Sequence, residues 1–350
     1  MANPSAVLFK TNDLRIVDRP IPEPGKNQVQ ISMHSVGICG SDVHYWTHGA
    51  IGDFVVRAPM VLGHESSGTV TKVGEGVTTL KIGDRVAIEP GIPCRCCGYC
   101  REGRYNLCRD MRFCATPPVD GSLARFYVHD ADFCYKLPDN VSFEEGALLE
   151  PLSVGVHACQ RAGVKVGSKV LICGAGPIGL VCLLTAKAFG ATKVMITDLD
   201  AGRLEKAKSM GADLCIQVTG LQPKEIAEKV KNFIGDDLAT ETLECSGAEP
   251  SIRAGIYSTR SGGTLILVGL GKPEVTLPIV DASVREVDIR GIFRYRNAYP
   301  TALEMVATGA VNVKPLVTHH FSLEKSLDAF ETAKDPSTGA IKVIIDCGSA

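Results

Sequence analysis

The apolar run Val170 to Cys173 leads without a break into Gly174-Ala175-Gly176-Pro177-Ile178-Gly179, and an apolar helical pattern follows as far as Phe189. In a strand that turns on three glycines into a helix, the first glycine permits the tight turn and the second a close approach to the backbone. The third lets helix pack on strand, and the helix N-terminus is left facing an anion. This context predicts a dinucleotide pyrophosphate on Gly174, Gly176, Pro177, Ile178 and Gly179; the alternative is a glycine-rich turn in a sheet without a cofactor. Asp198 ends the next strand pattern, KVMITD, 24 positions after Gly174. A carboxylate there accepts hydrogen bonds from ribose hydroxyls and repels a 2′-phosphate. Arg203, five positions on, would favour that phosphate, but the strand-end acid decides for NAD over NADP.

From about Val154 strand and helix patterns alternate: KVLICGAG, a helix, KVMITD, the helix RLEKAKSMGA, ADLCIQV, a helix near Lys224 to Phe233, TETLEC, a helix near Ser251 to Thr259, and GTLILVGL. Such alternation calls for right-handed crossovers and a parallel sheet covered on both faces. Upstream, from about Leu8 to Pro90, short β-rich runs broken by Gly and Pro predict a small barrel. After VDIRGIFRYR the alternation stops, and the tail, ending in IKVIID, is too short for a domain of its own. The expected fold class is α/β: a β-rich domain over residues 1–153, completed by residues 293–350, and a doubly wound parallel-sheet domain over residues 154–292.

Composition narrows the function. The 350 residues carry 37 Lys and Arg against 39 Asp and Glu, a formal charge of −2, which leaves no positive surplus to track a phosphate backbone and argues against nucleic acid as partner. The longest uncharged stretch, Val170 to Ala186, is interrupted by glycines and a proline and fits a buried strand, turn and helix better than a membrane insertion. The N-terminal residues have neither a basic start before an apolar run nor an Arg- and Ser-rich amphipathic pattern, so a cytoplasmic protein is expected. Its 14 cysteines are then expected to stay mostly reduced.

Five of those cysteines fall between positions 94 and 108. Cys94, Cys97, Cys100 and Cys108 are spaced to wrap one ion, and four sulfurs with no open position suit tetrahedral structural zinc; Cys96 is left over. An iron–sulfur site, a disulfide and a redox pair are the alternatives. A second set is Cys39 in GICGSDVH, His64 and Glu65 in GHE, and Glu150 in LLEPLS, a thiolate, an imidazole and two carboxylates beside turn residues. Fewer strong ligands with an open position describe catalytic zinc, but on spacing alone a core cysteine and a hydrogen-bonded His–Glu turn are the more usual readings. Adjacent residues of an extended strand point to opposite faces, so His64 and Glu65 can share an ion only where the backbone bends. His157 and Cys159, on an apolar helix start, read as core.

Together, GICGSDVHYW, VLGHE, the four-cysteine lobe, FCATPPVDG, EEGALLEPLSVGVHAC, GAGPIG, TDLD, SGGTLILVGLG and REVDIRGIFRY resemble the polyol branch of the zinc-dependent medium-chain dehydrogenases over essentially the whole chain. The resemblance implies a GroES-like catalytic domain with a Rossmann domain inserted and the active cleft in the seam. It implies a catalytic zinc on Cys39, His64 and Glu65, with Glu150 bound directly or through a water; some relatives in this branch lack the four-cysteine lobe, but this chain has all four sulfurs, so two zinc ions per subunit are expected. NAD would accept hydride from a polyol such as sorbitol, giving a ketose. The hydroxyl proton would leave through Glu150, a water, or a relay of Ser41 and His44. Tyr45, Arg294 and Tyr295 match substrate contacts, and Val268, Gly269, Leu270 and Phe293, with Arg294, match the cofactor side. A homotetramer is implied as well. Xylitol and L-arabinitol dehydrogenases are the near alternatives and threonine dehydrogenase a distant one. A non-catalytic zinc- or nucleotide-binding protein is the reading from another class, and it makes Cys39 and His64 dispensable.

Overall fold

The computed structural model describes residues 2–235 and 237–348 and divides into two compact units. The first holds Met1–Glu150, Ala302–Thr308 and Val313–Ala350, and the second Pro151–Thr301 and Gly309–Asn312. The chain re-enters the first unit at Ala302, which leaves Phe293, Arg294 and Tyr295 in the second.

Among the described residues the first unit is built on a seven-stranded mixed sheet. Its strands run in the order Cys134–Lys136, Arg85–Ile88, Glu65–Val73, Gln28–Gly37, Lys342–Asp346 and Val317–Ser322, and Phe126–Asp130 also pairs with Gln28–Gly37. The alternation QVQISMHSVG turns Val29, Ile31 and Met33 into a core with Leu8, Trp46, Leu62, Ile88, Phe330 and Ile345, each at most 2% exposed. Two features of this sheet position chemistry. Gly37 pairs with Glu65 on one side and Ile344 on the other, so the C-terminal strand is laid beside the segment leading to Cys39. The Gln28–Gly37 strand then passes into the helix Gly40–His48, with Cys39 as its N-cap.

The second unit carries a six-stranded parallel sheet in the order Leu214–Gln217, Lys193–Asp198, Lys169–Cys173, Ala239–Glu244, Thr259–Leu267 and Asp288–Gly291. This is the doubly wound order, built out in both directions from Lys169–Cys173. Its strands are apolar because both faces are covered: Val170, Leu171, Ile172, Val194, Met195 and Ile196 are fully buried. The order reverses between Lys169–Cys173 and Ala239–Glu244, and ligands of open α/β sheets bind outside the carboxyl ends of the strands at such a point. Gly174 and Cys245 follow those two ends. No helix among the described residues is long and apolar enough to cross a membrane.

Candidate active site and cofactor cradle

The four lobe sulfurs are unbonded and lie within 4.8 Å of one another. Cys97 and Cys100 Sγ are 3.4 Å apart and Cys94 and Cys100 Sγ 4.0 Å, which brackets the edge of about 3.8 Å expected for a zinc tetrahedron with Zn–S bonds near 2.3 Å. The backbone N–H of Cys97 donates to Cys94 Sγ and that of Cys94 to Cys108 Sγ, both at 3.3 Å. Backbone donors from Cys96 and Cys97 pull the Cys94 thiol down to about 6, toward the thiolate a metal requires. Cys96 is exposed, with its Sγ 3.8 Å from Cys94 Sγ, outside the group of four. The lobe is clamped to its own unit at two points: Tyr105 donates to the buried Glu89 at 2.6 Å, and Arg95 bridges Asp130 and Asp132 at 2.8 Å each. The donor set fits a closed structural zinc.

Cys39, His64 and Glu65 form the second group, their ligand atoms again within 4.8 Å of one another. The bend this needs is made by Gly63, at φ +88°, where a Cβ would press on Leu123 and Val36. His64 precedes the strand Glu65–Val73, so it is free of the strand's alternation. Asp42, which the sequence reading passed over, ties the group together: its carboxylate accepts from Cys39 N at 3.1 Å and Gly63 N at 3.0 Å. Its Oδ1 also lies 3.5 Å from His64 Nδ1, an ion-pair contact too long for a hydrogen bond. His64 Nδ1 is accordingly a buried polar atom without a hydrogen bond. Burial works against a charged imidazole, yet Asp42 and Cys39 outweigh it and hold the His64 pKa well above its usual range. A soft thiolate, an imidazole and a carboxylate converging within 4.8 Å fit a divalent zinc with a further position open.

Lys342 is the other residue the sequence reading missed. Its ammonium is 2.7 Å from both Glu65 oxygens, donates to Ile38 O at 3.1 Å, and is only 4% exposed. Burial lowers its pKa, and the charges of Glu65, Cys39 and Glu150 more than reverse this. Glu65 is boxed in from the other side by Gly37, where any Cβ would overlap Glu65 Oε2. A lysine inside the apolar strand IKVIID was the available signal; for Asp42 it was an acid three residues after Cys39, at the third position of a helix. Glu150 is 6% exposed in the first turn of its helix. Ser41 is half-buried and His44 exposed on the helix Gly40–His48, with the His44 ring stacked on His48 at 4.4 Å. Tyr45 is buried on the same helix, and in the second unit Tyr295 is buried while Arg294, half-buried, holds a left-handed φ of +53°.

In the second unit Gly174 has φ +103°, and a Cβ on Gly179 would overlap Gly174 O. A Cβ on Gly176 would meet nothing within 4 Å, so the packing of the chain does not require a glycine there. Gly176 caps the helix Pro177–Ala188, whose N-terminus carries Pro177 and Ile178. Asp198 accepts from Ala175 N at 2.7 Å and Asp200 N at 2.9 Å, which fixes its carboxylate beside the glycine turn. Arg203 is held by Asp200 through its backbone N–H at 2.8 Å. Leu270 and Phe293 are exposed, and Val268 and Gly269 follow the strand Thr259–Leu267.

Residues 25–139 match the alcohol dehydrogenase GroES-like domain and residues 177–308 the zinc-binding dehydrogenase family. A sorbitol dehydrogenase of Bos taurus is 62% identical over 345 residues, covering 99% of this chain and 96% of its own length. The chain belongs to the zinc-dependent medium-chain dehydrogenases. As such it is an oxidoreductase of α/β fold, a GroES-like domain joined to a Rossmann domain. Among solved structures, L-idonate 5-dehydrogenase of Escherichia coli superposes with a TM-score of 0.91 at 30% identity over 99% of this chain and 98% of that one. An alcohol dehydrogenase of Escherichia coli complexed with NADH gives 0.90 at 26% identity, over 99% of both chains.

Proposed function

We propose that this chain oxidises polyols to ketoses with NAD, sorbitol to fructose foremost, on one catalytic and one structural zinc per subunit. The observation that carries the reading is the convergence of half-buried Cys39 with buried His64 and Glu65, in a chain 62% identical to a sorbitol dehydrogenase. Zinc bound there supplies a Lewis acid that makes a substrate hydroxyl acidic, and NAD supplies the hydride acceptor.

The chain's own residues do the rest. Cys39, His64 and Glu65 hold the ion, and Asp42 orients His64. The Glu150 carboxylate would take up a proton, directly or through a water. Ser41 Oγ and the His44 ring, three residues apart on one helix face, run from half-buried to exposed and offer a path by which a hydroxyl proton reaches solvent. Tyr45, Arg294 and Tyr295 supply hydroxyl and guanidinium donors suited to a polyhydroxylated substrate. The carboxylate of Asp198 takes the ribose hydroxyls of NAD on a cradle of Gly174, Gly176, Pro177, Ile178 and Gly179, with Arg203, Val268, Gly269, Leu270, Phe293 and Arg294 on the same cofactor.

A carboxylate at Glu150 makes a harder, more oxygen-rich site than a second cysteine would, which suits a chelating diol. The deciding experiment follows NADH absorbance on adding sorbitol, xylitol, L-arabinitol or threonine, with and without a zinc chelator. Sorbitol turnover abolished by the chelator is expected. A preference for another substrate reassigns the specificity, and no turnover with any of them overturns the reading. We assign the protein to the cytoplasm as a homotetramer, to be checked by fractionation and analytical sedimentation.

A further inference from the structure

Glu244 ends the strand Ala239–Glu244 at the point where the sheet order reverses, and it is fully buried. Among the described residues its carboxylate is met by hydrogen bonds. Its Oε1 accepts from Ser246 N at 2.9 Å, Ser246 Oγ at 2.5 Å, Ser251 Oγ at 2.8 Å and Gly247 N at 3.2 Å, and its Oε2 accepts from Gly247 N at 3.0 Å. The backbone carbonyl of the same residue takes Val268 N at 2.8 Å and Gly269 N at 2.9 Å. A buried carboxylate is costly unless its lone pairs are filled, and here every donor to the side chain comes from residues 246–251.

That turn touches both cofactor segments. On one side a Cβ on Gly174 would stand 3.3 Å from Ser246 N. On the other, Cβ atoms on Gly269 and Gly271 would overlap Gly247 N and Gly247 O, and one on Gly247 would overlap Leu270 and Gly271. The turn at 246–247 is therefore a spacer wedged between the first glycine of the pyrophosphate loop and the segment 268–271. We infer that Glu244 is a positioning residue for the nicotinamide cofactor: by gathering the amides of Ser246 and Gly247 it sets the separation of Gly174 from Val268, Gly269 and Leu270. The inference rests on the assignment of NAD to this cradle.

The test is NADH binding by the full-length, zinc-loaded protein, followed by nicotinamide fluorescence in the wild type, Glu244→Gln and Ser251→Ala. Gln keeps the shape but must aim N–H groups at the Gly247 or Ser246 amide, so the NADH Kd is expected to rise about tenfold. The KM for NAD should rise in parallel, while the KM for polyol and the zinc content stay at wild-type values. Ser251→Ala removes one hydroxyl donor from beyond the turn and is expected to raise the Kd about threefold. A Glu244→Gln protein that melts earlier but binds NADH like the wild type overturns the positioning role. If that variant does not fold, a wild-type Kd in Ser251→Ala overturns it instead. A wild-type protein that binds no NADH overturns the cofactor assignment beneath it, an outcome distinct from wild-type binding with unaltered variants.

Discussion

Lys342 places a buried ammonium 2.7 Å from both oxygens of Glu65, a member of the candidate metal group. Partners of this kind orient a metal ligand, and removing one typically costs about 10- to 100-fold in metal affinity or activity. Lys342→Met is therefore expected to lose catalytic zinc on dialysis and to reduce kcat at least about tenfold, with structural zinc retained. Metal content and kcat measured together check this, and full zinc retention with normal turnover would contradict it. Asp198 is held by two backbone amides beside the glycine turn, and we propose that it takes the ribose hydroxyls. Asp198→Ala should raise the KM for NAD about tenfold or more, the loss of charge-assisted bonds, and narrow the gap between NAD and NADP; an unchanged NAD KM counts against the assignment.

The four-thiol lobe has little regular structure of its own. Its helix Gly98–Arg101 has four residues and buries none of them, and the following Tyr105–Leu107 turn buries only Asn106. Elements this short do not persist without a cross-link, and a structural zinc contributes folding energy directly. Cys100→Ser is expected to lower bound zinc from two ions to one per subunit, lower the Tm, and leave the KM for NAD untouched. Two zincs remaining in the variant would refute the closed site. The Glu89 anchor belongs to the same element: burial pushes its carboxyl up, and the hydroxyls of Tyr105 and Tyr135 oppose that by donating to it.

Across the whole molecule, two buried histidines are expected to make stability depend on pH. Burial pushes both His129 and His157 down to about 4, with His129 in hydrogen-bond contact with Glu89 O at 2.8 Å. An unfolded histidine titrates near 6.5, so between about 6.5 and 4 the unfolded chain binds the extra protons. The contribution is complete above that window and is lost as pH falls through it, up to about 3 kcal/mol for each residue. Denaturant midpoints measured from pH 7.5 to 5 should fall for the wild type, and the fall should be shallower in His129→Gln; equal slopes would remove His129 from the account.

The glycine spacing after VLIC, the acid at Asp198 and the rhythm of strand and helix were legible without coordinates, because each is a local requirement written in neighbouring positions. The four lobe cysteines were legible for the same reason, their spacing alone bringing four sulfurs within reach of one ion. Cys39 and His64 were ambiguous in sequence, since 25 positions separate them and only sheet register closes that distance. The bend at Gly63, the bracing of that group by Asp42 and the Lys342–Glu65 pair, which joins residues 277 positions apart, were decided by tertiary structure. So was the spacer held by Glu244. A residue's neighbours along the chain set its backbone, but the charge it faces once buried is chosen by whichever distant strand the fold lays against it.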